Sequence, residues 1–162
     1  MREMDIYEKL KELGITLAPV TPAGIYSTAV LFDGNMVCTS GHNCKVGDIL
    51  PHTGLVGGDV TLEQAQEDAK QCAVNILGSL HEALGDLNRI CKIVKLTGFV
   101  ASAEGFFQQP KVLDGASRLF VELFGEIRGK AARTAVGVRA LAGNQPVVIE
   151  LMAQLYPEGQ TS

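Results

Sequence analysis

The residues best suited to chemistry in this sequence are an arginine and a glutamate. Arg133 follows the small, polar loop Gly129-Lys130-Ala131-Ala132 and opens a strand-forming run. Guanidinium is planar and offers paired donors that match a carboxylate bidentately. Small neighbours leave room for a ligand beside it, although an ordinary edge arginine would look the same. Glu150 is flanked by Val147, Val148, Ile149, Leu151 and Met152. A carboxylate in such a strand either faces water or has a partner. Placed in a cleft, it could act as a general acid/base or position a water. The segment Ala142-Gly143-Asn144-Gln145-Pro146 reads as a turn. That turn would pair the two strands and bring Arg133 towards Glu150, or bring both towards a neighbouring subunit's pocket.

Other reactive types are weaker. Ser40, Gly41 and His42 close a strand, but a nucleophilic serine needs an oriented base, and the context is not Gly-x-Ser-x-Gly. Gly41 could let backbone approach a ligand closely. His42, Cys44 and His52 share a loop, with Cys38 just before it. Their spacing matches no structural zinc pattern, so no metal is expected. No phosphate-cradling glycine motif occurs, and no cofactor is expected. Cys38, Cys44, Cys72 and Cys91 form no C-x-x-C pair and read as free thiols.

The elements that must position these residues follow from hydrophobic period and punctuation. Asp5 to Leu13 reads as a short amphipathic helix stopped by Gly14, and a connector runs from Thr16 to Gly24. Tyr26 to Ser40 reads as a hairpin turning at Asp33-Gly34-Asn35. Gly41 to Gly58 is a long glycine-rich loop, a kind that is often functional. Thr61 to Leu84 is the clearest helix, opened by a Thr61/Gln64 capping box and closed at Gly85. Arg89 to Ala101 reads as a strand, Lys111 to Phe124 as a second long helix, and Arg133 to Leu141 and Val147 to Leu155 as the last strands. This order makes an α+β sandwich, one mixed sheet with two helices on one face. The other face would keep apolar residues drawn from Val30, Phe32, Val37, Val94, Val136, Val138, Val148 and Ile149. Such a face predicts an oligomer of closed symmetry.

A chain of 162 residues fits one domain, residues 1–162, with an N-terminal helix and connector over 1–19. Its 46% apolar and 20% charged residues describe a globular protein. The net charge of −4 and the sparse aromatics argue against nucleic acid as a partner. The charged start is no signal peptide, and no apolar run is long enough to span a membrane. A cytoplasmic protein is expected.

Four segments carry a family resemblance. Gly24-Ile25-Tyr26-Ser27 resembles a G-P-Y-S motif, and Thr39-Ser40-Gly41-His42 a strand ending in S-G-Q. Ala131-Ala132-Arg133-Thr134-Ala135-Val136 is similar to P-A-R-[ST]-x-V, and Ile149-Glu150-Leu151 to [IV]-E-[IM]. Their order and spacing resemble the YjgF/RidA family over residues 20–156. Gln108 to Ser117 further resembles a longer subgroup with Q-P-x-V-x-[ND]-G-A-S. His42, Ala135 and Ala131 depart from the usual Gln, Cys and Pro.

The resemblance implies a chorismate-mutase-like homotrimer with clefts between subunits. It also implies hydrolysis of reactive 2-imino or enamine acids to 2-keto acids and ammonia. Arg133 would hold the substrate carboxylate, and Glu150 would position or activate water. Tyr26, Ser40, Gly41, His42, Ala135 and Ser117 would line the cleft. Two other activities fit less of the sequence: a non-catalytic binder of small carboxylates such as 2-keto acids, and an endoribonuclease or translation inhibitor.

Overall fold

The computed structural model describes residues 5–160. Eight main elements run in chain order: α1 (Ile6–Glu12), β1 (Ala29–Phe32), β2 (Met36–Thr39), α2 (Leu62–Leu84), β3 (Ile90–Ala101), α3 (Gln109–Gly129), β4 (Ala132–Val138) and β5 (Val147–Leu155). The strands form one mixed sheet in the order β1-β2-β5-β3-β4. Only β3 and β4 run parallel. The expected α+β sandwich is the observed architecture.

Helices α2 and α3 cover one sheet face because each presents a continuous apolar stripe. Ile76, Leu77 and Leu80 of α2, with Leu119, Phe120 and Leu123 of α3, are fully buried. They meet Ile93, Leu96 and Val100 of β3 and Ile149, Leu151 and Ala153 of β5 in one core cluster. The capping box opens α2 as expected, with Thr61 and Gln64 exchanging side-chain to backbone bonds. Gly85 closes it in the left-handed conformation, φ 75°. The helices cross closely at Gly115, where a Cβ would lie 2.0 Å from the Gln66 carbonyl oxygen.

Helix α1 docks elsewhere, against α3 and the 3₁₀ turn Leu87–Arg89. Its Ile6 and Leu10 are buried, and its Lys9 Nζ donates to the Leu123 carbonyl at 2.7 Å. Among the described residues, no helix is long and apolar enough to cross a membrane.

Two expectations about the last strands are corrected. Strand β4 ends at Val138 rather than Leu141. It also does not pair with β5, because β3 lies between them. The segment 139–146 is a crossover over the end of β3 rather than a hairpin turn. Strands β4 and β5 run antiparallel with β3 between them, so the return must step past one strand, and it includes the 3₁₀ turn Ala142–Asn144.

Candidate functional site

Arg133 lies on β4, an edge strand. Its register partner on β3 is Leu96, a core residue, so the arginine side chain is on the helix-covered face. There Nη1 donates to Asp114 Oδ1 at 2.8 Å and to Ser117 Oγ at 3.0 Å, both on α3. The Arg133 side chain is 26% exposed. It borders a cavity of about 430 Å³ that also takes in Asp114, Ser117, Arg118, Glu122 and Lys130. Ala135, two residues along the same strand, is half-buried against the core.

Glu150 lies elsewhere in the same chain. Its neighbours Ile149 and Leu151 point into the core, so strand alternation turns Glu150 to the open face. It is exposed there, in register with Thr97 of β3. Among the described residues it has no hydrogen-bonding or ion-pairing side chain. Arg133 and Glu150 therefore stand on opposite faces of the sheet, and one chain does not bring them together.

Tyr26, Ser40, Gly41 and His42 border a third place, a cavity of about 280 Å³ shared with Thr28 and Asn75. Ser40 Oγ donates to the Ser27 carbonyl at 2.6 Å, and the Tyr26 hydroxyl accepts from the Ala23 amide at 3.1 Å. Gly41 is required by packing: a Cβ there would lie 2.7 Å from a Val148 methyl. His42 exchanges backbone hydrogen bonds with Ile149 at 2.8 and 3.0 Å. These contacts join the Ser40–His42 wall to β5 on either side of Ile149, next to Glu150. Four predicted positions thus border one cavity, tied to the strand that carries Glu150, while Arg133 and Ser117 border another.

The His42 ring is engaged at both nitrogens. It is only 3% exposed. Nδ1 lies 2.8 Å from the Ser40 carbonyl and Nε2 2.7 Å from Ser79 Oγ. A nitrogen facing a carbonyl must carry the proton, so Nε2 accepts from the serine hydroxyl. Burial pushes the His42 pKa down, and the Ser40 carbonyl partly offsets this. The ring ties the loop to α2 as a neutral imidazole, and the backbone of the same residue is paired with Ile149.

Over residues 8–155 the sequence matches the family described as "YjgF/chorismate mutase-like, putative endoribonuclease". The chain belongs to the YjgF/chorismate mutase-like family. It is 38% identical over 149 residues to Protein TCP17 of Trypanosoma cruzi, covering 90% of this chain and 91% of that one. Its fold matches the crystal structure of Atu1372, a protein of unknown function from Agrobacterium tumefaciens, at 40% identity and TM-score 0.83, over 93% and 91% of the two chains. RidA from the Antarctic bacterium Psychrobacter is 28% identical, with TM-score 0.57 over 85% and 94%.

Within this YjgF-family fold, two polar groupings were missed by sequence reasoning. One is Asp114, whose carboxylate holds Arg133. The signal was present, since Asp114 and Ser117 are three residues apart and share a helix face. The other pairs His52 with Asp68, a carboxylate 1% exposed in α2. His52 Nδ1 donates to both carboxylate oxygens, at 3.0 and 3.1 Å. Burial raises the Asp68 pKa, and the His52 bond pulls it partly back. No spacing rule connects a loop histidine to a helix aspartate sixteen residues on. Among the described residues, no three His, Cys, Asp or Glu side chains are grouped to hold a metal ion.

Proposed function

We propose that this YjgF-family chain is a hydrolytic deaminase of small 2-imino or enamine acids, working in a cleft assembled between copies of the chain. The reading is carried by the division of polar groups in one chain. An arginine on an edge strand keeps part of its guanidinium unpaired. A glutamate without a partner stands on an open apolar face. A neighbouring copy laid against that face would bring its Arg133 edge to the Glu150, Tyr26 and Ser40 region. The family resemblance supplies the reaction and the three-fold assembly. The four unpaired cysteines fit a reducing, cytoplasmic setting.

In this mechanism Arg133 binds the substrate carboxylate and fixes the imine carbon in place. Glu150 accepts a proton from water as the oxygen attacks that carbon. The resulting tetrahedral adduct carries hydroxyl and amine on one carbon. Its C–N bond breaks as the nitrogen is protonated, and ammonia leaves. The products are a 2-keto acid and ammonia, with one water consumed and no oxidation.

The test generates 2-iminopropanoate in situ with an amino-acid oxidase and traps it with semicarbazide. Wild type is expected to suppress the semicarbazone signal, and Arg133→Ala is not. If the folded oligomer leaves the signal unchanged, the hydrolase reading fails. If it nevertheless binds pyruvate through Arg133, the chain is a carboxylate binder.

A further inference from the structure

The guanidinium of Arg133 has five N–H bonds in a fixed plane. Nη1 has two of them, and the structure gives it two acceptors, Asp114 Oδ1 at 2.8 Å and Ser117 Oγ at 3.0 Å. Nη1 is therefore saturated within the chain. Nε and Nη2 have no partner among the described residues. They form the side-on edge of the fork, whose two parallel N–H bonds suit one carboxylate.

A carboxylate of this chain already touches the arginine, so Asp114 could compete with a ligand or prepare the fork for one. The geometry decides between them. A competitor would take two parallel bonds, because that arrangement is the strongest. Asp114 instead uses one oxygen on one nitrogen, and Ser117 takes that nitrogen's other hydrogen. Both sit on the rigid helix α3, one turn apart. Gly115 between them lets α3 lie against the backbone of α2, and Ala116 and Leu113 are buried in the core. The two acceptors are thus fixed relative to β4.

We infer that Asp114 and Ser117 are positioning residues that lock Nη1 and turn the Nε/Nη2 edge outward to receive a ligand's carboxylate. This rests on the reading of Arg133 as the carboxylate-binding residue. Asp114 does not touch the ligand. It removes the rotamer freedom that a long side chain would otherwise lose on binding.

The experiment measures pyruvate binding by calorimetry and kcat and KM for 2-iminopropanoate in the intact oligomer. Wild type is compared with Arg133→Ala, Asp114→Ala, Asp114→Asn and Ser117→Ala. Asp114→Ala is expected to weaken pyruvate and raise KM about tenfold with kcat nearly unchanged, because the lost interaction is equal in ground and transition states. Asn retains an oxygen acceptor, so Asp114→Asn is expected to stay within about threefold of wild type. Ser117→Ala gives a smaller change of the same kind. A general loss of folding would not produce this split or the rescue by Asn. The inference is overturned if Asp114→Ala binds pyruvate as well as wild type, or more tightly, while Arg133→Ala loses it. If Arg133→Ala itself binds pyruvate normally, the site reading falls and takes the inference with it.

Discussion

His42 shows how a residue that borders a cavity can also serve the fold. It occupies the place after Ser-Gly where the family usually has Gln, beside a cavity. Its ring bonds inward to Ser79 and Ser40 and is held neutral by burial. The consequence for pH has a definite sign. The folded pKa lies below the ordinary value of 6.5, so the unfolded chain binds the proton more readily. Stability from this site is present above about pH 6.5 and is lost as pH falls towards the folded value. Glutamine can donate to the Ser40 carbonyl and accept from Ser79 without titrating. His42→Gln should therefore lose less melting temperature than wild type between pH 7 and 5. Equal slopes for the two proteins would contradict the assignment. Asp68, whose raised pKa acts in the opposite direction, is common to both. At this scale, residue type was legible and direction was not. Sequence marked Arg133, Glu150 and Ser117, but which face each takes depends on pairing partners far along the chain.

At the scale of elements, helix α3 condenses several tasks into Asp114-Gly115-Ala116-Ser117. The first and last face Arg133, the alanine enters the core, and the glycine admits the backbone of α2. Alanine at 115 would gain roughly 1 kcal/mol of helix propensity. Its methyl would nevertheless lie 2.0 Å from a backbone oxygen that cannot rotate away. Overpacking should dominate, and Gly115→Ala should lower stability by about 1–3 kcal/mol, read from the denaturant midpoint. An unchanged or higher midpoint would show that the helix crossing is looser than it looks. Helices were legible because caps and a 3.6-residue period are local signals. Thr61, Gln64 and Gly85 marked α2 to within a residue, whereas the second long helix, read as ending at Phe124, breaks at Gly125, φ 77°, and runs on to Gly129. Strand pairing was not local. The run Ala142 to Pro146 looked like a hairpin turn, yet β3 intervenes. Nothing in an apolar alternation says whether a neighbour is parallel.

For the whole molecule, the unresolved polarity of the sheet is the main fact. One face is packed by α2 and α3. The register places Val30, Phe32, Met36, Cys38, Phe99, Val136, Val148 and Met152 together on the other. Val30, Phe32 and Val136 are 50%, 40% and 38% exposed in the single chain. That is a large apolar surface to leave in water, and covering it with copies of the same chain is the economical arrangement. The sequence foresaw an open face, since two helices cover only one side. It could not show that the face would carry Glu150 while Arg133 stayed on the other side. That division requires any site using both residues to span two copies.

Subunit complementation tests this most directly. Arg133→Ala and Glu150→Gln chains would be expressed separately and together, the mixed oligomers purified, and 2-iminopropanoate hydrolysis followed by semicarbazide trapping. Each variant alone should be nearly inactive. In the proposed trimer, every ring containing both chains has one of its three clefts joining an intact Arg133 from one copy to an intact Glu150 from its neighbour, so purified mixed oligomers should recover about a third of wild-type activity. Mixed oligomers that form but stay as inactive as their parents would contradict a cleft built from both residues across two subunits.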